Sequence, residues 1–92
     1  MALSKKAGKN IASLINSLNV ANTYCSRYAV KGDFDTFRVF FKSQCYNAVA
    51  LADLGIELPA IEYYRARLDS TPEEFEAHAR QSFEYERSCL KA

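Results

Sequence analysis

No acidic residue precedes Asp33 in this 92-residue chain, although Lys5, Lys6, Lys9, Arg27 and Lys31 already stand before it. Histidine occurs once, at His78, so a Ser-His-Asp or Cys-His arrangement would have to be built there. Its setting, Glu76-Ala77-His78-Ala79-Arg80, offers no such motif. Cysteine occurs three times, at Cys25, Cys45 and Cys89, an odd number without CxxC spacing. That is a poor basis for a disulfide framework, disfavours a structural zinc site and predicts buried free thiols in a reducing compartment. His78 and Cys89 share a helix azimuth but lie roughly 16 Å apart along the axis, too far to hold one metal ion. The three glycines, Gly8, Gly32 and Gly55, stand singly, which excludes a phosphate-binding loop or dinucleotide fingerprint. No apolar run reaches the length of a membrane span, and Gly8, Lys9, Asn10, Ser13 and Asn16 interrupt any signal-peptide core. These absences lead us to expect no enzyme, no metal or other cofactor, no small-molecule substrate and no membrane partner.

Hydrophobic residues at 49% and charged residues at 25% are ordinary globular usage, so the chain is expected to fold as one domain over 1–92. The net charge of +1 conceals a division. Residues 1–50 carry seven Lys and Arg against two Asp, a balance of +5, and residues 51–92 carry five against nine acids, a balance of −4. Such asymmetry orients encounters with charged partners rather than setting a fold.

Apolar residues at Ile11, Leu14, Ile15, Leu18, Cys25 and Ala29 recur at helical spacing and predict a first helix from about Ser4 to Val30, divided if Asn19 and Asn22 break it. Gly32 is placed to end it. Asp33 or Asp35 caps a second helix whose stripe is Phe34, Phe37, Phe41, Cys45, Ala48 and Ala52, widened by Phe40 and Leu51 and closed by Gly55 with Ile56 folding back. Pro59 suits the first position of a short third helix with Ile61, Tyr64 and Leu68 inward, although 56–69 also has extended-strand character. Thr71-Pro72-Glu73-Glu74 is a capping box opening a fourth helix to about Leu90, with Phe75, Ala79, Phe83 and Leu90 buried and Glu76 paired to Arg80. No sustained alternation or hairpin turn appears. The expected fold is an all-α single-domain bundle of about four helices.

On a helix wheel with Ile11 at zero, the apolar residues of the first helix fall within roughly 60°, while Lys5, Lys6, Lys9, Arg27 and Lys31 fall at about 120–220°. Ser13, Ser17, Thr23 and Tyr24 lie on or close to that basic face, and Val20 is exposed on it. Arg38 and Lys42, one turn apart on the second helix, extend the patch. Cations interleaved with hydroxyls and an aromatic ring suit a phosphate backbone, and the candidate binding residues are therefore Lys5, Lys6, Lys9, Tyr24, Arg27, Lys31, Arg38 and Lys42. Lysines opposite an apolar stripe are also what any solvated helix displays; the missing acids favour the binding reading. Tyr63, Tyr64, Arg65 and Arg67 form a second aromatic and basic cluster able to stack on unpaired bases, or else one tyrosine packs inward and the arginines pair with Glu62 or Asp69. A purely protein-directed adaptor, using surplus apolar surface at Val39, Phe40 and Tyr46, is the competing interpretation.

From Met1-Ala2-Leu3-Ser4-Lys5-Lys6 to Glu84-Tyr85-Glu86-Arg87, the whole sequence and its length resemble the small phage-encoded anti-CRISPR proteins directed against type I-F CRISPR–Cas. The resemblance is to the chain as a whole and rests on no diagnostic motif. It implies a stoichiometric inhibitor in the host bacterial cytoplasm, bound to the Csy surveillance complex of Cas proteins and CRISPR RNA, that prevents target DNA hybridisation. No contact residue is carried over from it.

Overall fold

A computed structural model describes the backbone over residues 5–90 and the side chains over 10–89. Four helices and no strands are present among the described residues: α1 (Lys5–Lys31), α2 (Phe34–Asp53), α3 (Ile61–Leu68) and α4 (Pro72–Leu90). The side chains of Lys5, Lys6, Lys9 and Leu90 lie outside the described set. The expected small all-α domain is therefore the observed fold.

Local chemistry explains most of the boundaries. α1 is unbroken through Asn19 and Asn22 and ends at Gly32 (φ +74°), where the Asp33 N–H donates to Tyr28 O at 3.0 Å and the Gly32 N–H to Ala29 O at 3.1 Å. Such pairing satisfies the last carbonyls and requires the left-handed conformation that glycine adopts without penalty. Asp33 then caps α2, accepting from the Thr36 N–H at 3.2 Å and from its hydroxyl at 2.7 Å; those bonds hold the carboxyl below its usual range. Thr71 and Glu74 cap α4 reciprocally, with the Glu74 N–H donating to Thr71 Oγ1 at 3.2 Å and the Thr71 N–H to Glu74 Oε1 at 3.0 Å. Pro59 does not open α3. Ala60 takes a left-handed conformation (φ 62°) after it, and the helix begins at Ile61, so the proline belongs to the preceding turn.

α1 and α2 pack as an antiparallel hairpin; α4 lies across it and α3 fills the space between α2 and α4. Phe34, Phe37 and Phe41 stand one helical turn apart on α2, at centroid spacings of 6.4 and 5.9 Å. Phe83 of α4 meets the Phe34 and Phe37 rings edge-on at 5.3 and 5.2 Å, and Phe75 lies 5.5 Å from Phe41. Edge-to-face geometry suits the ring quadrupoles and adds about 0.5–1.5 kcal/mol per pair beyond area burial. Cys25, Ala29, Cys45 and Ala79 complete this core, and their small size allows the close approach of α1 and α4 to α2.

Two burial expectations need correction. Ile15, placed on the buried face by periodicity, is 43% exposed; the buried side chains of α1 among the described residues are Ala21, Cys25 and Ala29 in its second half. Cys89, grouped with the buried thiols, is exposed on α4. Cys25 and Cys45 are buried, and desolvation pushes both thiols up to about 12, with Glu86 adding to the rise at Cys25.

Candidate nucleic-acid interface

The second half of α1 carries a repeated pattern, Tyr24-Cys25-Ser26-Arg27 followed by Tyr28-Ala29-Val30-Lys31, an aromatic residue with a cation three positions later. Residues three apart are neighbours on a helix surface. The pattern becomes geometry: the Arg27 guanidinium carbon lies 4.9 Å from the Tyr24 ring centroid and Lys31 Nζ lies 5.2 Å from that of Tyr28. Both rings stack on Phe40 of α2, Tyr24 at 4.8 Å and 22° and Tyr28 at 5.8 Å and 5°. Two exposed cations therefore stand on a half-buried platform of three rings spanning the α1–α2 seam. Each cation–π contact contributes about 0.5–1 kcal/mol at such an exposed site, enough to bias the cation position while leaving its outer N–H groups in water.

The five candidate residues with described side chains do not form one surface. Lys5, Lys6 and Lys9 fall on side chains outside the described residues. Tyr24, Arg27 and Lys31 come together as above, with Tyr24 at the edge of the basic face because its ring is committed to Phe40. Arg38 is placed differently from its role in an extended patch. Its Nη1 lies 2.8 and 2.9 Å from the two carboxylate oxygens of Glu76, and its Nη2 lies 3.7 Å from Asp35, so its charge is answered inside the fold. The same pairing takes Glu76 from Arg80, whose guanidinium instead lies 3.8 Å over the Phe34 ring. Lys42 points elsewhere: two residues after Phe40, it lies about 160° away around α2. It is exposed and takes part in no ion pair among the described residues.

The cluster at 63–67 is also divided. Tyr64 packs against the core, and burial raises its hydroxyl pKa. Tyr63 shares a hydrogen bond of 2.7 Å with the Ser82 hydroxyl, and the Arg67 guanidinium lies 4.0 Å over the Tyr63 ring. Arg65 pairs with neither Glu62 nor Asp69; it donates to Asp53 at the end of α2 at 2.8 Å, and that bond raises its pKa. The Tyr63 ring is exposed but carries Arg67, and Tyr64 is committed to the core. A cleft of about 490 Å³ opens between α2, α3 and α4, with Phe41, Tyr63, Arg67, Ser82 and Glu86 in its walls.

Tyr28 and Phe40 are the members of the platform that charge-based reasoning missed as binding residues. The aromatic-cation repeat on α1 was the available signal for Tyr28, whereas Phe40 needed the tertiary pairing of α1 with α2. Among the described residues no group of three or more His, Cys, Asp or Glu is placed to hold a metal ion, and no helix is long and apolar enough to cross a membrane. Comparison of the chain with protein-family models, curated proteins and solved structures finds no match to any of them.

Proposed function

We propose that the protein is a stoichiometric binding protein that docks on a nucleoprotein, and specifically an anti-CRISPR inhibitor occupying the type I-F Csy surveillance complex in the host bacterial cytoplasm. Cas proteins and CRISPR RNA are its proposed partners, and steric exclusion of target DNA hybridisation is its mode of action. The observation that supports this reading is the ring platform of Tyr24, Tyr28 and Phe40 bearing Arg27 and Lys31. Cations without an ion-pair partner among the described residues, biased toward aromatic faces, suit phosphate contacts beside exposed bases. Binding of this kind consumes no cofactor and needs no catalytic group.

The test is recovery of Cas subunits and CRISPR RNA on tagged protein from cells expressing a type I-F complex. Failure to recover any Cas subunit overturns the specific assignment. Charge reversal at Arg27 and Lys31 is expected to abolish capture, and rising ionic strength to weaken it steeply. A second reading, a protein-directed adaptor without nucleic-acid contact, draws support from Val39 and Tyr46, which are 63% and 66% exposed on one face of α2. It predicts capture that survives both salt and the reversal.

A further inference from the structure

On the side of α2 away from the platform, a cleft of about 320 Å³ lies against α3 and the start of α4. Its walls carry three cations, Arg38, Lys42 and Arg67, beside apolar Val39, Leu68 and Phe75, and no acidic residue. Arg38 is already paired with Glu76. Lys42 and Arg67 have no carboxylate partner among the described residues. Arg67 is the unusual member: its Nε is buried and finds no acceptor among the described residues. An unanswered buried donor costs about 1–3 kcal/mol, more for a charged group, and it leaves the guanidinium charge to be met by a partner through the outer N–H groups. The guanidinium carbon lies 4.0 Å over the Tyr63 ring, a contact that restrains the group, and its outer N–H pair matches a planar, two-oxygen acceptor.

We infer that this cleft receives the carboxylate of a glutamate or aspartate on a protein partner, with an apolar residue of the same segment lying against Val39, Leu68 and Phe75. The apolar wall decides between ligand classes. A sugar-phosphate strand presents a continuously hydrophilic edge and calls for a row of cations, whereas an acidic side chain beside a leucine matches two cations set in apolar surroundings. This site is separate from the platform, since Phe40 and Lys42 project to opposite sides of α2. It stands or falls independently of the nucleic-acid reading.

The experiment is an NMR titration of the intact protein with the synthetic peptide acetyl-Leu-Glu-Leu-amide, its glutamine analogue and inorganic phosphate. The glutamate peptide is expected to shift the Arg67 Nε–H resonance and the Leu68 and Ser70 amides saturably. The glutamine analogue is expected to bind about tenfold more weakly, the loss of one charge-assisted hydrogen bond. Arg67→Gln removes saturation at the two amides, and Lys42→Gln, a surface change that leaves the fold intact, weakens binding several-fold. Charge reversal at Arg27 and Lys31 leaves the titration unchanged. Equal binding of the two peptides, unaltered binding to both single variants, or the same shifts with phosphate at lower concentration overturns the inference, the last by identifying a phosphate site.

Discussion

The two halves of α1 are one continuous helix with two different jobs. From Ala21 to Ala29 every turn sends a small side chain, Ala21, Cys25 or Ala29, into complete burial against α2 and α4. From Asn10 to Val20 no residue is fully buried, Ile11, Leu14 and Leu18 are only half covered, and Ile15 and Val20 are exposed. The cause lies in what opposes each half. The second half faces the phenylalanine ladder and is crossed by α4, with Ser26 bonded to Glu86 and the Ala29 carbonyl accepting from Arg87. The first half faces the end of α2, where Ala50, Asp53 and Leu54 leave a shallow trough beside Asn10, Ser13 and Leu14. Sequence periodicity registers a stripe along both halves; only the packing partners decide which part becomes core.

The comparison breaks most directly if truncation costs the same at both places. Phe37→Ala, in contact with Phe34, Phe41 and Phe83, is expected to lower unfolding free energy in denaturant by about 3–5 kcal/mol. Leu14→Ala is expected to cost about 1 kcal/mol, since its side chain surrenders little water-shielded area. Equal losses would mean the first half is as tightly packed as the second.

Alkali tests the tight half alone. Cys25 and Cys45 have folded pKa values raised to about 12 by burial, against an unfolded value near 9.0. Unfolding therefore releases protons above that lower value, so stability is full below about pH 9 and is lost as pH rises toward 12. A thermal midpoint followed across this window should fall, and less so in Cys45→Ala. Thiol labelling at pH 8 sharpens the contrast: Cys89 should react at once, a cysteine introduced by Ile15→Cys should react comparably, and Cys25 and Cys45 should wait for denaturant.

Smaller effects come from the caps. Thr71→Ala removes one arm of the capping box and is expected to cost about 1 kcal/mol. Amide exchange should quicken on α4 and across 21–29, which α4 covers, while 11–18 stays as it was. The weakest effect is acid. Hydrogen bonds from Thr36 and Thr71 depress the Asp33 and Glu74 pKa values, so their contribution is present above the unfolded carboxylate range and is lost as pH falls through the folded values. A gentle decline in thermal midpoint below about pH 4 should appear in wild type and be reduced in Glu74→Gln.

What the sequence disclosed is divided along the same physical line. Gly32, Asp33, Gly55 and the Thr71–Glu74 box act within a few residues, so the ends of α1, α2 and α4 could be read directly. α3 resisted because its start depends on Ala60 adopting a left-handed conformation, a choice that Pro59 does not announce. At the candidate site, Arg27, Lys31 and Tyr24 were legible from one helix. Their setting on Phe40 and the capture of Arg38 by Glu76 were not, because each depends on residues many turns apart in the chain. Net charge counts every cation equally; only the fold distinguishes those it neutralises from those it leaves to a partner.

Arg87 closes the matter of how this domain is made. Its Nη1 donates to the Ala29 carbonyl at 2.7 Å, and its guanidinium occupies the space that a Cβ on Gly32 would require. The first helix is thus finished by a residue 58 positions later, and Phe83 is added to the aromatic ladder only slightly earlier. During synthesis the α1–α2 hairpin emerges first, with Phe34, Phe37 and Phe41 uncovered, and the domain closes once residue 87 has left the ribosome. That interval exposes a greasy surface to other nascent chains. A slow codon between residues 72 and 87 is therefore expected to depress soluble yield more than the same codon placed within α1.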